Sequence, residues 1–308
     1  MPTESDARAV DVTTSNRVMT VTLASPSNRN ALSRRLVAGL DNAFEKAATT
    51  IAGDPDSLRA VVLTHVAPVF CAGADLKERA GGSGDSGSFV DVLTRIMDLP
   101  VPVIAAVKGP VRAGGIGLMA SCDLVVVRAD VQFALTEVRL GLAPAVIAVP
   151  ILRRVPATQL AMAFLTGNAF DADEALRVGL VSHVAPDDDA VDATVASLCG
   201  DVMLGSSRAV AATKAILRDV PGTDRDDAFR AMSTLSNELF SSDDGREGMA
   251  SFAERRPRAG RRNTAGSLVT WRGKRQRRAT RSATRASAAS GRRARSITSS
   301  SCSRRRGR

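Results

Sequence analysis

Two glycine-rich segments contain residues that could stabilise negative charge on an oxygen atom. The first, FCAGADLK, spans residues 70–77, and the second, GPVRAGGIG, spans residues 109–117. Each follows an apolar run, and its small residues let the backbone approach a ligand where a helix begins with unpaired N–H groups. Two such N–H groups that converge on one oxygen would form an oxyanion hole, in which each donor contributes about 3 kcal/mol to transition-state stabilisation.

A glutamate, Glu137, follows both segments along the chain. It lies in the segment FALTEVRLGLAP at residues 133–144, with apolar neighbours such as Leu135 and Leu140. A carboxyl group in apolar surroundings is costly to ionise, and its pKa rises toward the range that general acid/base catalysis requires. The pattern therefore predicts Glu137 as a general acid/base.

Together these segments resemble the signature blocks of the enoyl-CoA hydratase/isomerase (crotonase) superfamily, in the family's order and at its spacing. Weaker similarities extend the resemblance to roughly residues 8–258. The similar segments are residues 29–32, 70–77, 109–123, 133–144, 179–181 and 252–257. The resemblance implies an α/β fold in which repeated ββα units wind into a right-handed spiral, and it implies an enzyme that acts on the thioester of an acyl-CoA.

The resemblance also implies roles for individual residues. Ala74 and Gly114 match the two residues whose N–H groups form the oxyanion hole, and Glu137 matches one of the family's two acid/base glutamates. The other glutamate falls at Gly117 in this sequence, which is a departure from the two-glutamate hydratases. The residues that match the family's substrate-binding segments are Arg29, Ala31, Ala72, Asp75, Leu76 and Lys77.

The glycine at position 117 leaves three activities open. Glu137 alone could hydrate a trans-2-enoyl-CoA, as in branches of the family that have glycine at this position. It could instead carry a proton between C2 and C4 in a Δ3,Δ2-enoyl-CoA isomerase, which needs one base. The chain could also bind acyl-CoA or a nucleic acid without catalysis. The sequence TEVRLGL at residues 136–142 is more similar to the hydratase branches, so we expect an enoyl-CoA hydratase.

The remaining motifs indicate no cofactor beyond the CoA that the substrate carries. No G-x-x-x-x-G-K-[ST] loop occurs, and residues 115–117 contain only part of a dinucleotide-binding fingerprint. The two histidines, His65 and His183, lie outside the motifs, which disfavours a Ser-His-Asp hydrolase. The cysteines lack metal-site spacing, and we expect reduced structural thiols at Cys71, Cys122, Cys199 and Cys302.

The elements that must position these residues follow from hydrophobic periodicity. Strand patterns alternate with helix patterns, and this alternation predicts an α/β fold. Predicted strands cover residues 17–23, 60–64, 101–107 and 123–127, and predicted helices cover residues 33–48, 88–98 and 114–121. Helical patterns then cover residues 209–217 and 224–240, and in the family such C-terminal helices close the active site and pack trimers. We therefore expect a spiral core over residues 1–203, a helical region over residues 204–258, and a homotrimer or homohexamer.

The segment over residues 259–308 differs from the rest of the chain in composition. The chain has 42 basic and 32 acidic residues, and this segment contains 16 of the basic ones and none of the acidic ones. Residues 1–258 therefore carry a net charge of −6. A segment so rich in Arg, Ser, Ala and Gly cannot bury enough apolar surface to order itself, so we expect a disordered tail. It is either a basic arm for a nucleic acid or another acidic partner, or an out-of-frame extension, which its composition favours.

The apolar segments favour a soluble cytoplasmic protein without a membrane anchor. The longest of them, residues 140–152, is too short to span a bilayer and contains Pro144 and Pro150. No apolar segment follows a basic start at the N-terminus, so the sequence indicates no secretory signal.

Overall fold

Strands and helices alternate along the chain, as the hydrophobic pattern predicts. The computed structural model describes residues 8–80 and 87–257. The strands are β1 (Val10–Ser15), β2 (Val18–Leu23), β3 (Ala60–His65), β4 (Val103–Val107), β5 (Val111–Arg112), β6 (Leu124–Arg128), β7 (Gln132–Ala134), β8 (Phe170–Asp171) and β9 (His183–Ala185).

The helices of the core lie between these strands, and the last ones follow them. The α-helices are α1 (Arg34–Gly53), α2 (Leu76–Ala80), α3 (Gly87–Asp98), α4 (Gly114–Ala120), α5 (Ala145–Arg154), α6 (Ala157–Thr166), α7 (Ala172–Arg177), α8 (Asp188–Val202), α9 (Ser207–Asp219), α10 (Arg225–Ser241) and α11 (Asp243–Ala253). Short 3₁₀ helices lie at Pro26–Asn28, Glu137–Leu140 and Val220–Gly222. The predicted α/β fold class is confirmed, and the predicted strands and helices are present with ends that differ by a few residues.

The central sheet brings the two glycine-rich segments to one edge. Its strand order is β1-β2-β3-β4-β6-β9, and its pairs are parallel except for β1 with β2. A smaller sheet has the order β5-β7-β8. Because β3 and β4 are adjacent and parallel, their carboxyl ends meet at the same edge. The segments that follow them, residues 66–75 and 108–114, therefore leave the sheet side by side.

Helices cover both faces of the sheet, which is why β3 and β4 are apolar and buried almost throughout. Alternate residues of each strand point to opposite faces. One face packs against α1 through Val61, Leu63, Val103 and Ala105, and the other packs against α8 through Ala60, Val62, Ile104 and Ala106. The apolar stripe of α1 has helical spacing, with Leu36, Leu40, Phe44, Ala47 and Ile51 buried.

Helix α5 is an element that the sequence pattern does not predict. It contains Pro150 in its interior, and proline removes one backbone donor and usually breaks a helix. The helix forms here with Ile147 and Ile151 buried against the core. Tertiary packing therefore outweighs the local preference, and α5 becomes a wall of the site described below.

The last two helices, α10 and α11, have little contact with the core. Helix α10 buries no side chain, and Phe229, Phe240 and Phe252 on α10 and α11 are exposed by 71%, 64% and 88%. The helical region is confirmed, whereas the domain boundaries and the oligomer stay predictions. The predicted disordered tail lies outside the described residues. Within those residues, no helix has the length and apolar character that crossing a membrane requires.

Candidate active site

Hydrogen bonds between loops hold the two glycine-rich segments together. The N–H of Arg112 donates to the carbonyl of Cys71 at 3.0 Å, which joins the second segment to the first. The N–H of Leu32 donates to the carbonyl of Gly73 at 2.8 Å, which joins the first segment to the loop before α1. Three segments that are distant in sequence are therefore joined into one rim.

The backbone N–H groups of Ala74 and Gly114 are available to a ligand. Within residues 8–80 and 87–257, neither group donates a hydrogen bond. A Cβ atom built on Gly114 would lie 3.9 Å from the backbone nitrogen of Ala74, so the two positions are close in space. The same Cβ would lie 2.5 Å from Cδ1 of Leu32, which explains why glycine stands here. Two adjacent unpaired N–H groups are what an oxyanion hole requires.

The residue before Gly114 has an unusual backbone conformation. Ala113 has φ 48° and ψ −120°, a region that residues with a Cβ rarely adopt. Its N–H donates to the carbonyl of Ala134 at 2.9 Å, which holds this conformation. The ψ angle of Ala113 sets the orientation of the next peptide unit and therefore the direction of the Gly114 N–H. Such backbone strain is typical of functional sites.

Glu137 begins the 3₁₀ helix after β7 and is half-buried. Its Oε2 atom is fully buried and has no hydrogen-bond partner among the described residues. Burial raises the pKa of the Glu137 carboxyl above its ordinary value, and a hydrogen bond from its own backbone partly opposes this. A buried carboxylate oxygen without a partner is costly, so a ligand or a transferable proton is the natural occupant of this position.

Arg139 anchors the helix that carries Glu137, a role that the sequence pattern does not predict. Its Nε donates to the carbonyl of Thr166 at 2.9 Å, and its Nη2 donates to Oδ1 of Asn168 at 2.6 Å. Both partners lie at the end of α6 or just beyond it. The 3₁₀ helix is therefore fixed from its exposed side, while Glu137 faces the interior.

Ala74, Gly114 and Glu137 border one cavity of about 510 Å³, which we call the Glu137 cavity. The three residues that the sequence predicts as catalytic are therefore brought together. Apolar side chains form much of its wall, namely Leu32, Val37, Phe89, Leu140, Leu142 and Ile147. Arg34, Glu78 and Arg79 add charges to the wall. This lining suits a ligand with an apolar chain and a polar or charged remainder.

The predicted substrate-binding residues fall into two groups. Ala72, Asp75 and Leu76 border the Glu137 cavity, whereas Arg29, Ala31 and Lys77 do not. Ala31 is buried, and Arg29 and Lys77 are exposed.

Asp75 also has a structural role. One carboxylate oxygen accepts from the N–H of Lys77 at 3.1 Å, which caps α2, and the other accepts from Nδ2 of Asn28 at 3.2 Å. Similarly, the carbonyl of Arg29 accepts from the N–H of Ala72 at 3.1 Å. These contacts shape the rim of the cavity, and the six binding assignments stay predictions.

Gly117 has no room for a side chain. A Cβ atom built on it would lie 2.4 Å from Cγ2 and 2.5 Å from Cβ of Ile147, which belongs to α5. Distances below about 3 Å require the neighbour to move, and here the neighbour is the branch point of a helix side chain. A second carboxylate at position 117 would therefore displace α5. The family's second glutamate therefore does not fit at position 117 on this backbone.

Two buried polar residues support the rim from behind. Oδ1 of Asn30 accepts from the N–H of Ser25 at 2.8 Å, and its Nδ2 donates to the carbonyl of Val69 at 2.8 Å. Nε2 of His65 accepts from the N–H of Lys108 at 3.0 Å, which links the ends of β3 and β4. Neither role is predicted by the sequence pattern. Asn30 could have been identified as an amide side chain beside a turn. His65 could have been identified from its position at the end of a buried strand.

The described cysteines are buried free thiols, as expected. Burial raises the pKa of Cys71 and of Cys122 to about 12, and that of Cys199 to about 11. A thiol needs its thiolate form to react, so none of the three is a nucleophile at neutral pH. Cys302 lies outside the described residues.

Known proteins share this arrangement of elements. The sequence matches the family model described as enoyl-CoA hydratase/isomerase over residues 13–259. Enoyl-CoA hydratase EchA19 of Mycobacterium tuberculosis is 34% identical over 248 residues, which are 77% of this chain and 90% of the relative. The crystal structure of a Mycobacterium smegmatis enoyl-CoA hydratase is similar with a TM-score of 0.75 and 32% identity, covering 81% of this chain and 98% of that one. Pseudomonas aeruginosa AtuE is similar with a TM-score of 0.75 and 30% identity, over the same shares of the two chains.

Proposed function

Because the chain belongs to the enoyl-CoA hydratase/isomerase family, we propose that it adds water across the double bond of a trans-2-enoyl-CoA thioester, with Glu137 as its one acid/base group. The observation that carries this proposal is the position of the unpartnered Glu137 Oε2 in the same cavity as the unpaired N–H groups of Ala74 and Gly114. The names of the relatives above, which include hydratases, support hydration over other reactions.

In the proposed reaction the thioester carbonyl oxygen accepts hydrogen bonds from the N–H groups of Ala74 and Gly114. As the oxygen of water bonds to C3, the electron pair of the C2–C3 double bond moves toward this carbonyl, and the two donors stabilise the resulting enolate. The Glu137 carboxylate takes the proton of the attacking water. Glu137 then gives a proton to C2, the thioester re-forms, and the net change is addition of one water. The reaction needs no cofactor beyond the CoA that the substrate carries.

The raised pKa of Glu137 supports this assignment. A carboxylate of ordinary pKa is a weak base at neutral pH, and burial makes its conjugate acid harder to ionise. The Glu137 carboxylate is therefore a stronger base for removing a proton from water, and its protonated form can donate a proton to C2. One residue can perform both steps, because the proton that it takes is available for return.

A second candidate function is Δ3,Δ2-enoyl-CoA isomerisation. The contact of Ile147 with Gly117 favours it, because this contact leaves no room for a second acid/base carboxylate at position 117. In this reaction Glu137 would remove a proton from C2 and return one to C4, while the same two N–H groups stabilise the dienolate. Hydration remains the first proposal because one carboxylate can also perform it.

Paired substrates distinguish the two reactions. The full chain would be given trans-2-enoyl-CoA and trans-3-enoyl-CoA of matched chain length, and ultraviolet absorbance of the conjugated thioester and product mass would be followed. We expect the trans-2 substrates to lose absorbance and gain the mass of one water. Isomerisation of the trans-3 substrates without hydration of any trans-2 substrate would establish the second candidate. Binding without any product would leave a non-catalytic acyl-CoA-binding protein.

We also propose that the protein is a homotrimer or homohexamer, as its family commonly assembles. The exposed phenylalanines of α10 and α11 support this, because apolar surface of this kind is rare in monomers. Light scattering after size-exclusion chromatography would measure the mass of the full chain and of a chain truncated after Pro257. If the two chains have the same subunit number and the same activity, and only the full chain retains nucleic acid, the basic tail has no part in catalysis.

A further inference from the structure

A second cavity, of about 610 Å³, lies at the other ends of two helices that border the Glu137 cavity. Helix α4 begins at Gly114 in the Glu137 cavity and ends at Ala120 in the second one. Helix α5 likewise begins in the Glu137 cavity and ends in the second one. The charged residues that border the second cavity are Asp123, Arg153, Arg154, Lys214 and Arg218, and we call it the cationic cavity.

Two of its four cations are neutralised by carboxylates. Lys214 is buried, and its Nζ lies 2.7 Å from Oδ2 of Asp123. Arg218 binds both carboxylate oxygens of Asp219, at 2.7 and 2.9 Å, and also lies 2.7 Å from Asp98.

The other two cations have no such partner. Nη1 of Arg154 donates to the carbonyl of Cys122 at 2.5 Å, and its Nη2 donates to Oγ of Ser182 at 3.1 Å and to the carbonyl of Asp123 at 3.3 Å. The Nε of Arg154 is buried without any hydrogen-bond partner. Nη2 of Arg153 donates to the carbonyl of Arg218 at 3.2 Å. In the described ranges, no carboxylate oxygen lies within 4.0 Å of either guanidinium group.

This imbalance has a physical cost that an anion would remove. Burial lowers the pKa of Arg154, because desolvation disfavours the charged form, and the charge of Asp123, which is already bound to Lys214, partly opposes this. Asp219 attracts Arg153 from a distance, but its oxygens are already bound to Arg218. Guanidinium groups bind phosphate and carboxylate oxygens through paired N–H donors, and such charge-assisted hydrogen bonds are about twice as strong as neutral ones.

We propose that the cationic cavity binds a small multivalent oxyanion, with the guanidinium groups of Arg153 and Arg154 as its principal donors. The ligand carries phosphate or carboxylate groups, and the volume accommodates an anion larger than one phosphate. This site is separate from the Glu137 cavity and does not depend on the reaction assigned there.

Titration calorimetry of the full chain tests the proposal with inorganic diphosphate and with citrate as probes, against sodium chloride at matched ionic strength. We expect saturable binding of at least one probe, and the preferred probe identifies the phosphate or carboxylate class. Arg153→Gln should weaken binding about tenfold, because it removes a charged donor. Arg153→Lys, which keeps the charge, should lose less.

Two matched variants separate this site from other basic surface. Arg208→Gln removes an exposed arginine of α9 that does not border the cavity, and it should leave binding unchanged. Arg34→Gln removes an arginine of the Glu137 cavity, and it should also leave binding unchanged. The proposal is overturned if neither probe binds saturably, if Arg153→Gln binds as the wild type does, or if Arg34→Gln abolishes binding.

Discussion

The Glu137 cavity and the cationic cavity lie at opposite ends of α4 and α5, and they bury opposite charges. In the first, Oε2 of Glu137 is buried without a partner, and burial raises the pKa of its carboxyl. In the second, Nε of Arg154 is buried without a partner, and burial lowers the pKa of its guanidinium. The same two helices therefore border one site where burial destabilises a negative charge, the Glu137 cavity, and one site whose arginines favour a negative charge, the cationic cavity.

The difference between the two cavities shows why unpaired groups are informative. A buried polar atom without a partner reduces stability, so its presence indicates a function or an absent ligand. At Glu137 the unpaired group is suited to carry a proton, whereas at Arg154 it belongs to a guanidinium group for which we propose anion binding. Variants at each end should therefore have different consequences, on turnover at the first and on stability or anion binding at the second.

The largest expected effect is that of Glu137→Gln. This change keeps the shape of the side chain and removes the proton carrier, so kcat should fall by about 10² to 10⁴ while acyl-CoA binding is largely retained. Steady-state kinetics and calorimetry would measure the two quantities. Glu45→Gln, at an exposed position of α1, is the control and should retain wild-type turnover. Near-normal turnover of the Glu137 variant would show that another group is the acid/base.

In the cationic cavity, Lys214→Met should reduce the stability of the fold and leave turnover unchanged. The change leaves the partly buried Asp123 carboxylate without its cation, and breaking such a pair costs about 3 kcal/mol. Urea denaturation would measure the free energy of unfolding, with Lys46→Met at an exposed position of α1 as the control. A loss below about 1 kcal/mol, or a large fall in kcat with unchanged stability, would contradict the assigned structural role.

Much of the first site could be predicted from sequence, because its parts are local. The β-branched runs at residues 60–64 and 101–107 indicate buried parallel strands, and the glycine-rich segments after them mark Ala74 and Gly114. Glu137 is identifiable from its apolar neighbours and its order along the chain. The family resemblance supplied the remaining step, which was the pairing of these segments in one site.

The contacts that the sequence could not predict are those between distant segments. Gly117 and Ile147 are 30 positions apart, and their contact depends on a helix whose internal Pro150 argues against its formation. The unpaired state of Arg154 depends on where every neighbouring carboxylate lies, which no local pattern records. Periodicity gives the helices of the C-terminal region, but it does not show that α10 lacks a buried face within one chain.

The close approach of Gly117 on α4 to Ile147 on α5 predicts a coupled pair of substitutions. Gly117→Ala places a methyl group about 2.5 Å from Ile147, so we expect a loss of about 2 kcal/mol despite the better helix propensity of alanine. In an Ile147→Gly background the same change should cost less than about 1 kcal/mol, because Cγ2 and Cβ of residue 147 are both removed and its Cα lies 3.2 Å from the added methyl group. Chemical denaturation of the four proteins in this double-mutant cycle would measure the coupling. Additive effects would mean that the two residues do not touch.

The smallest expected effect is a pH dependence that originates at His65, behind the rim of the Glu137 cavity. Burial lowers the pKa of His65 in the folded protein, and the nearby charge of Lys108 lowers it further, while a backbone hydrogen bond from its ring to Val66 and the charge of Asp188 oppose this. The unfolded chain therefore binds the proton more readily than the folded one. The contribution of His65 to stability is complete above about pH 6.5 and is lost as the pH falls through that value toward the lower folded pKa.

Unfolding free energies measured between pH 8 and pH 5 would test this dependence. The wild type should lose stability toward pH 5 more steeply than His65→Gln, whose amide can accept the N–H of Lys108 but does not titrate. His183→Gln, which removes an exposed histidine of β9, should keep the wild-type slope. Equal slopes for the wild type and His65→Gln would show that the folded protein accepts a protonated ring at this position, and the link between β3 and β4 would then not depend on the neutral form.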